Sequence, residues 1–344
     1  MKDRLIAYWL LTGAFLVIAM VILGGYTRLS HSGLSMVTWK PVTGFIPPSS
    51  TAEWQVEFDK YQTSPEYIKR NYHFTLDEFK SIYWPEFLHR VLGRVLGLVF
   101  IFPFLFFIIT KRLRDKKLIT NVLIIFVLGG LQGLIGWYMV KSGLVNIPSV
   151  SHYRLALHFC TALSLYIYII WTVLRYLYPS IETAGAQTLK IKNGLILLMI
   201  VTIIQIIYGA FVAGLKAGLI YTTYPLMNGT FLPSVIGDTI SNEGISSFTE
   251  YPALVQFIHR WFAVVVIGLV IWIIIKAKKT TLQTVQKRTL GFMLVTVLAQ
   301  FLLGVFTLIN SVPISLGVIH QLGAVIFLSS VTLALFFFTK PKTS

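Results

Sequence analysis

Eight stretches of this chain each hold enough consecutive apolar residues to cross the roughly 30 Å hydrocarbon core of a bilayer. They run over about Leu5–Gly24, Pro85–Ile109, Leu118–Val140, Tyr153–Leu174, Asn193–Ala213, Leu254–Ile275, Thr289–Ile309 and Leu316–Phe338. The runs are continuous rather than alternating, which predicts helices and not barrel strands. The expected fold is all-α: a polytopic integral membrane protein with eight transmembrane helices, forming two pseudo-twofold-related four-helix bundles. Only 12% of residues are charged, about half the share usual in a soluble domain. The net charge of +16 is explained by loops on one side of the membrane, so nucleic acid is not an expected partner. Those loops carry Lys2 and Arg4, Lys111 to Lys117, Arg175, Lys190 and Lys192, Lys276 to Arg288, and Lys340 and Lys342. Both termini are therefore expected in the cytoplasm, with the long connections 26–84 and 214–253 outside as ordered caps. The first run is too long for the apolar core of a cleaved leader and reads as a retained helix. A multi-pass protein of the bacterial cell (inner) membrane is the expectation.

The two halves of the sequence repeat. Gly25 and Pro41 answer Gly209 and Pro225 at a separation of 184, and Gly33-Leu34 answers Gly218-Leu219. Gln132-x-x-x-Gly136 answers Gln300-x-x-x-Gly304, and Glu86-Phe-Leu-His-Arg90 answers Gln256-Phe-Ile-His-Arg260. The expected organisation is an N-terminal half, 1–188, with the long outer loop 26–84, and a C-terminal half, 189–344. An even number of helices per half makes this a parallel repeat about an axis along the membrane normal.

Ionisable residues inside a membrane point to function. His89, His158, His259 and His320 lie one each on the second, fourth, sixth and eighth runs, all near the outer end. His31, His73 and His152 fall in or beside the outer loops and read as solvated surface. Two histidines on facing helices can supply both axial ligands of a heme iron. The expected pairs are His89 with His158 and His259 with His320. Gly93, Gly97, Gly129, Gly130, Gly133 and Gly136 would let a macrocycle approach. Arg90, Arg94, Arg154 and Arg260 are candidates to pair with its propionates; snorkelling to the headgroups is the plainer alternative. Imidazole also suits copper, but the aliphatic surroundings and the lack of Met near the histidines favour heme. The single cysteine, Cys160, precludes an intrachain disulfide.

Glu86 is the one carboxylate within a predicted span. It precedes His89 by three residues and so shares its helix face. Its repeat mate, Gln256, cannot ionise. Trp84-Pro85-Glu86 also reads as a helix start, with Pro in the first turn and Glu favourable to the dipole. The functional alternative is a catalytic carboxylate that makes the first half the reactive one.

With these residues placed, the sequence resembles the heme A synthase family. The likeness rests on Gly24-Gly-Tyr-Thr-Arg28, Ser32-Gly-Leu-Ser-Met36, Trp39, Pro41, Gly44, Pro47-Pro48, Pro65-Glu-Tyr67 and Glu78-Phe-Lys80. It continues through Glu86-x-x-His-Arg90, Gly93-Arg94, Tyr153-Arg154-Leu155-Ala156-x-His158, Pro225-Leu-Met-Asn228, Phe257-x-His-Arg260 and His320-Gln321. The resemblance implies oxidation of the C8 methyl of heme O to the formyl of heme A, by two hydroxylations and a dehydration, with water as the oxygen source. It implies heme b as cofactor on His259 and His320, and substrate heme O between His89 and His158 with Glu86 near the methyl. It also implies a heme O synthase upstream, cytochrome oxidase assembly downstream, and an electron acceptor or donor left unassigned. The pattern is compatible with a homo-oligomer in the lipid bilayer. The chain departs from the best-known bacterial form, which has a cysteine pair in the first outer loop. It is similar to the cysteine-free type of alphaproteobacteria and mitochondria. Two other functions fit the paired histidines: a quinone-linked diheme cytochrome b, and a heme transporter or chaperone.

Overall fold

The computed structural model describes residues 3–39, 43–145, 147–179 and 186–339. Pro41 of the repeat and motif, and Lys2, Lys340 and Lys342 of the charge pattern, lie outside the described residues. Eleven α-helices are found among the described residues: α1 (Arg4–Leu29), α2 (Thr51–Gln62), α3 (Leu76–Ile109), α4 (Lys116–Lys141), α5 (His152–Leu177), α6 (Ala186–Gly214), α7 (Ser234–Glu243), α8 (Ser247–Glu250), α9 (Pro252–Lys278), α10 (Thr284–Ile309) and α11 (Ile314–Phe337). Eight of them, all but α2, α7 and α8, are long and apolar enough to span a membrane. The protein is an all-α polytopic membrane protein. It divides into two compact units, Met1–Val173 and Leu174–Ser344. That division falls in the last turns of α5, ahead of the 188/189 boundary expected from the repeat.

The second spanning helix, α3, starts nine residues before Pro85. Thr75 caps it and exchanges hydrogen bonds with Glu78 in a capping box, which satisfies two of the free N–H groups at a helix start. Glu86 is therefore well inside the helix, and a helix-dipole role for it falls away. In the repeat, Pro252 opens α9 itself, so the two copies enter the bundle differently.

α3 carries Pro85 and Pro103 within its length. A proline has no N–H to give the carbonyl four residues back. For Pro103 that carbonyl is Val99, and the Trp9 indole of α1 donates to it at 3.0 Å. Trp9 is 6% exposed and its ring lies 5.1 Å from Phe100. Further along, Thr27 Oγ1 of α1 donates to the Pro85 carbonyl at 3.3 Å. Unit 1 thus ties α1 antiparallel to α3 at two places, one of them where Pro103 breaks the ladder.

In unit 2, α10 and α11 form a hairpin with polar rungs along its length. Gln286 donates to the Phe337 carbonyl at 3.0 Å, Thr296 meets Ser330 at 3.0 Å, and Thr307 donates to the Leu316 carbonyl at 3.2 Å. α6, α9, α10 and α11 share one dense core, including Leu195, Leu198, Val270, Ile273, Met293, Val297 and Val331.

Both long connections carry helices that pack on the spans. α2 packs Trp54, Phe58 and Tyr61 on Phe79, Tyr83 and Phe87 of α3. Tyr61 donates to the buried Glu66 at 3.2 Å and accepts from Asn71 at 2.8 Å. Burial, with the Glu66 charge beside it, raises the pKa of the Tyr61 phenol above its ordinary value. In the other loop, Met227 and Ile236 pack on Ala253 and Leu254 at the start of α9.

Replacing Trp9 by Phe keeps the ring contacts and removes the indole donor on the Val99 carbonyl. A loss of about 1–3 kcal/mol is expected, read as a lower thermal midpoint in detergent. An unchanged midpoint would show that the Pro103 break needs no external donor.

Candidate functional site

Each of the four intramembrane histidines lies on the second helix of an antiparallel pair and faces a glycine on the first. A Cβ added at Gly24 would meet His89 Nε2 at 3.1 Å. One at Gly136 would meet His158 Cε1 at 3.1 Å, one at Gly209 His259 Cε1 at 3.1 Å, and one at Gly304 His320 Cε1 at 2.9 Å. The true repeat mate of Gly209 is therefore Gly24, one residue from the expected Gly25. His89 and His158 are close enough to interact electrostatically, as are His259 and His320.

Three glutamines tie these helix pairs together. Gln205 Nε2 donates to the His259 carbonyl at 2.9 Å, and Gln300 Nε2 to the His320 carbonyl at 3.0 Å. The Gln132 amide is assigned with its nitrogen toward the His158 carbonyl at 3.2 Å, because its oxygen then accepts from Thr161 and the Ala162 N–H.

Three features, spread over the two histidine pairs, fit a large planar group such as heme. First, packing is open at that level. No residue is fully buried from Leu88 to Val99 on α3, from Phe126 to Lys141 on α4, from Leu298 to Phe306 on α10, or from Ile314 to Ala324 on α11. Second, a Cβ at Gly97, Gly129, Gly130 or Gly133 would meet nothing within 4 Å, so these glycines border space rather than pack. Third, Arg260 is 8% exposed yet its Nε and Nη1 have no hydrogen-bond partner. A buried cation with free donors suits an anionic group such as a propionate. Among the described residues no three His, Cys, Asp or Glu cluster as a polydentate metal site, and an axial pair needs none.

At the outer ends of α3 and α9, the two His-Arg copies clamp their loops in matching ways. Arg90 Nη1 donates to the Thr38 carbonyl at 2.7 Å and Nη2 to the Met36 carbonyl at 2.8 Å. Arg260 Nη2 donates to the Thr223 carbonyl at 2.6 Å, with Pro225 and Leu226 at 3.2 and 3.3 Å. Glu86 accepts from Ser35 Oγ at 2.7 Å and from the Met36 N–H at 2.8 Å, and its other oxygen pairs with Arg90. Gln256 instead donates to the Tyr221 carbonyl at 2.9 Å. Glu and Gln thus hold equivalent loop residues, one as acceptor and one as donor. The consequence is electrostatic: Arg90 is neutralised and Arg260 is not.

The other sequence candidates are placed less centrally. Arg94 lies over the Phe45 ring at 5.6 Å. Arg154 stacks on Tyr138 at 3.8 Å and donates to the Tyr138 carbonyl at 2.8 Å, beside a cavity of about 590 Å³ lined by Trp137, Lys141 and Val145. His31 and His73 are exposed. His152 is not surface: it is buried and stacks on Tyr153 at 4.0 Å. Met20 also corrects the sequence reading, which found no Met near the histidines. Its backbone reaches the His89 imidazole, and its Cε would lie 3.6 Å from a Cβ on Gly93. The glutamine rungs were half visible in the Gln-x-x-x-Gly repeat; Gln205-x-x-x-Gly209 completes it.

Paired histidines within the spans and clamped loops at their ends give a polytopic membrane protein with two candidate sites for a planar, anionic group. Residues 7–332 match the family described as cytochrome oxidase assembly protein, and the chain belongs to that family. Relatives named heme A synthase include those of Flavobacterium psychrophilum, 45% identical over 98% of this chain and 99% of its own length, and Parvibaculum lavamentivorans, 42% identical over 94% and 92%. The heme A synthase of Wolbachia pipientis wMel is 41% identical over 100% of this chain and 95% of its own.

Arg90→Gln leaves the buried Glu86 without its cation and two loop carbonyls without donors. A cost of about 3 kcal/mol is expected, with faster proteolysis of the first outer loop in intact vesicles. Cleavage at the parent rate would mean that the clamp does not hold the loop.

Proposed function

We propose that this chain is a membrane enzyme of heme A biosynthesis that oxidises the C8 methyl of heme O to a formyl group. The coarser part, an enzyme of heme A formation, is supported by the family and by relatives that carry the name heme A synthase along nearly their whole length. The finer part rests on one observation: two matching histidine pairs differ in charge, because Glu86 neutralises Arg90 while Arg260 keeps two free buried donors.

In this reading His259 and His320 hold heme b, and Arg260 offers Nε and Nη1 to a propionate. His89 and His158 hold heme O. Bound heme b would supply one-electron redox chemistry. The overall change removes four electrons and four protons: two waters add in turn at the methyl carbon, giving the alcohol and then the gem-diol, which loses one water to give the aldehyde. Glu86, one turn from His89, is the carboxylate in place to accept a proton as water adds at that carbon. Its bonds to Ser35 and Met36 keep the outer loop closed over the slot and restrict bulk water. The four electrons pass to an acceptor of unassigned identity. A heme O synthase is the proposed supplier of substrate, and the bacterial inner membrane the proposed location.

Expression of Glu86→Gln followed by heme extraction and mass analysis tests the catalytic assignment. Heme O is expected to accumulate, with conversion down about 100-fold or more, while heme b on His259 and His320 is retained. Conversion at the parent rate removes Glu86 from the mechanism. His259→Ala is expected to lose the low-spin heme b spectrum. Two hemes b with no heme O or A in the parent protein would favour a diheme electron relay instead.

A further inference from the structure

The four histidine sites are not held alike. At His158, His259 and His320, a glutamine on the partner helix donates to the histidine's own backbone carbonyl. Each glutamine lies four residues before the glycine that faces the imidazole, so one helix turn delivers both contacts. At His89 the facing glycine is Gly24, and four residues before it stands Met20. A thioether has no proton to donate. Met20 rests its Cε near Gly93, in the place where Gln300 rests its amide near Gly323. The His89 ring is also turned differently. It offers Nε2 to its glycine, where the other three offer Cε1.

We propose that Gln132, Gln205 and Gln300 are positioning residues for axial histidines, and that Met20 makes His89 the exchangeable ligand through which the substrate heme enters and leaves. The inference rests on the heme reading above. A resident cofactor gains from ligands whose backbone is fixed before binding. A substrate site must let its product go, and loosening one of its two ligands does this while the other keeps the heme in place. At that site His158 has the glutamine rung and His89 lacks it. The charge difference acts in the same sense, since Glu86 already occupies Arg90, which could otherwise grip a propionate.

An interhelical side-chain hydrogen bond in a bilayer changes an equilibrium by a factor of roughly 3 to 20. Gln and Met are close in volume, so Met20→Gln and Gln205→Met exchange the rung with little change in packing. The full-length protein, loaded with heme b and heme O, is mixed with an excess of a heme-scavenging protein, and the loss of each heme is followed by its absorbance. Met20→Gln is expected to slow heme O release about 3- to 20-fold and to leave heme b release unchanged. Gln205→Met is expected to speed heme b release by a similar factor, raise its carbon monoxide-reactive fraction, and leave heme O unchanged. Parental heme O release from a Met20→Gln protein with an intact heme b spectrum overturns the inference. If Met20→Gln does not fold, parental heme b release from Gln205→Met does the same. Failure of the functional reading looks different: the release rates then respond as stated while no heme O is converted.

Discussion

At bilayer depth no water is available to satisfy a stray carbonyl, so each polar group has to find its partner inside the protein. That constraint accounts for most of what holds this structure in register. Pro103 strips a donor from Val99, and the Trp9 indole of the neighbouring helix supplies one. Gln205 and Gln300 reach the carbonyls of His259 and His320. Arg90 and Arg260 take up loop carbonyls at the membrane's edge. In each case the group that crosses between helices is polar, while the bulk of the contact is apolar and indifferent to rotation.

The same constraint makes the difference between the two halves legible as chemistry. Both clamp an outer loop with an Arg and a residue four positions before it. In one half that residue is Gln256, which balances nothing. In the other it is Glu86, which balances Arg90. A charge left over on a buried guanidinium favours an anionic resident; a neutral clamp does not. The proposed division between cofactor half and substrate half follows from this asymmetry together with the replacement of a glutamine rung by Met20.

Much of the fold was readable before any coordinates. The eight spans lie where the apolar runs put them, because burial in lipid needs only length and hydropathy. The ends were read less well. α3 begins at Leu76, since Thr75 and Glu78 form a capping box in a polar stretch that hydropathy alone assigns to the loop. His152 was read as surface, yet the fold stacks it on Tyr153. The repeat was aligned one residue off at Gly25 because two adjacent glycines look alike in sequence; only the imidazole of His89 distinguishes Gly24.

The sequence by itself determined the class of protein, the number of spans, the four histidines and the Glu86/Gln256 difference, because these depend on composition and on spacing along one helix. Tertiary structure decided which glycine faces which ring, that Glu86 is tied to Ser35, Met36 and Arg90, that Arg260 keeps two unmatched donors, and that Met20 occupies the place of a glutamine rung. Those facts concern pairs of residues far apart in the chain. Their distances are set by how helices rotate against one another, and an apolar periodicity constrains that rotation only loosely in a membrane, where both faces of a helix are hydrophobic.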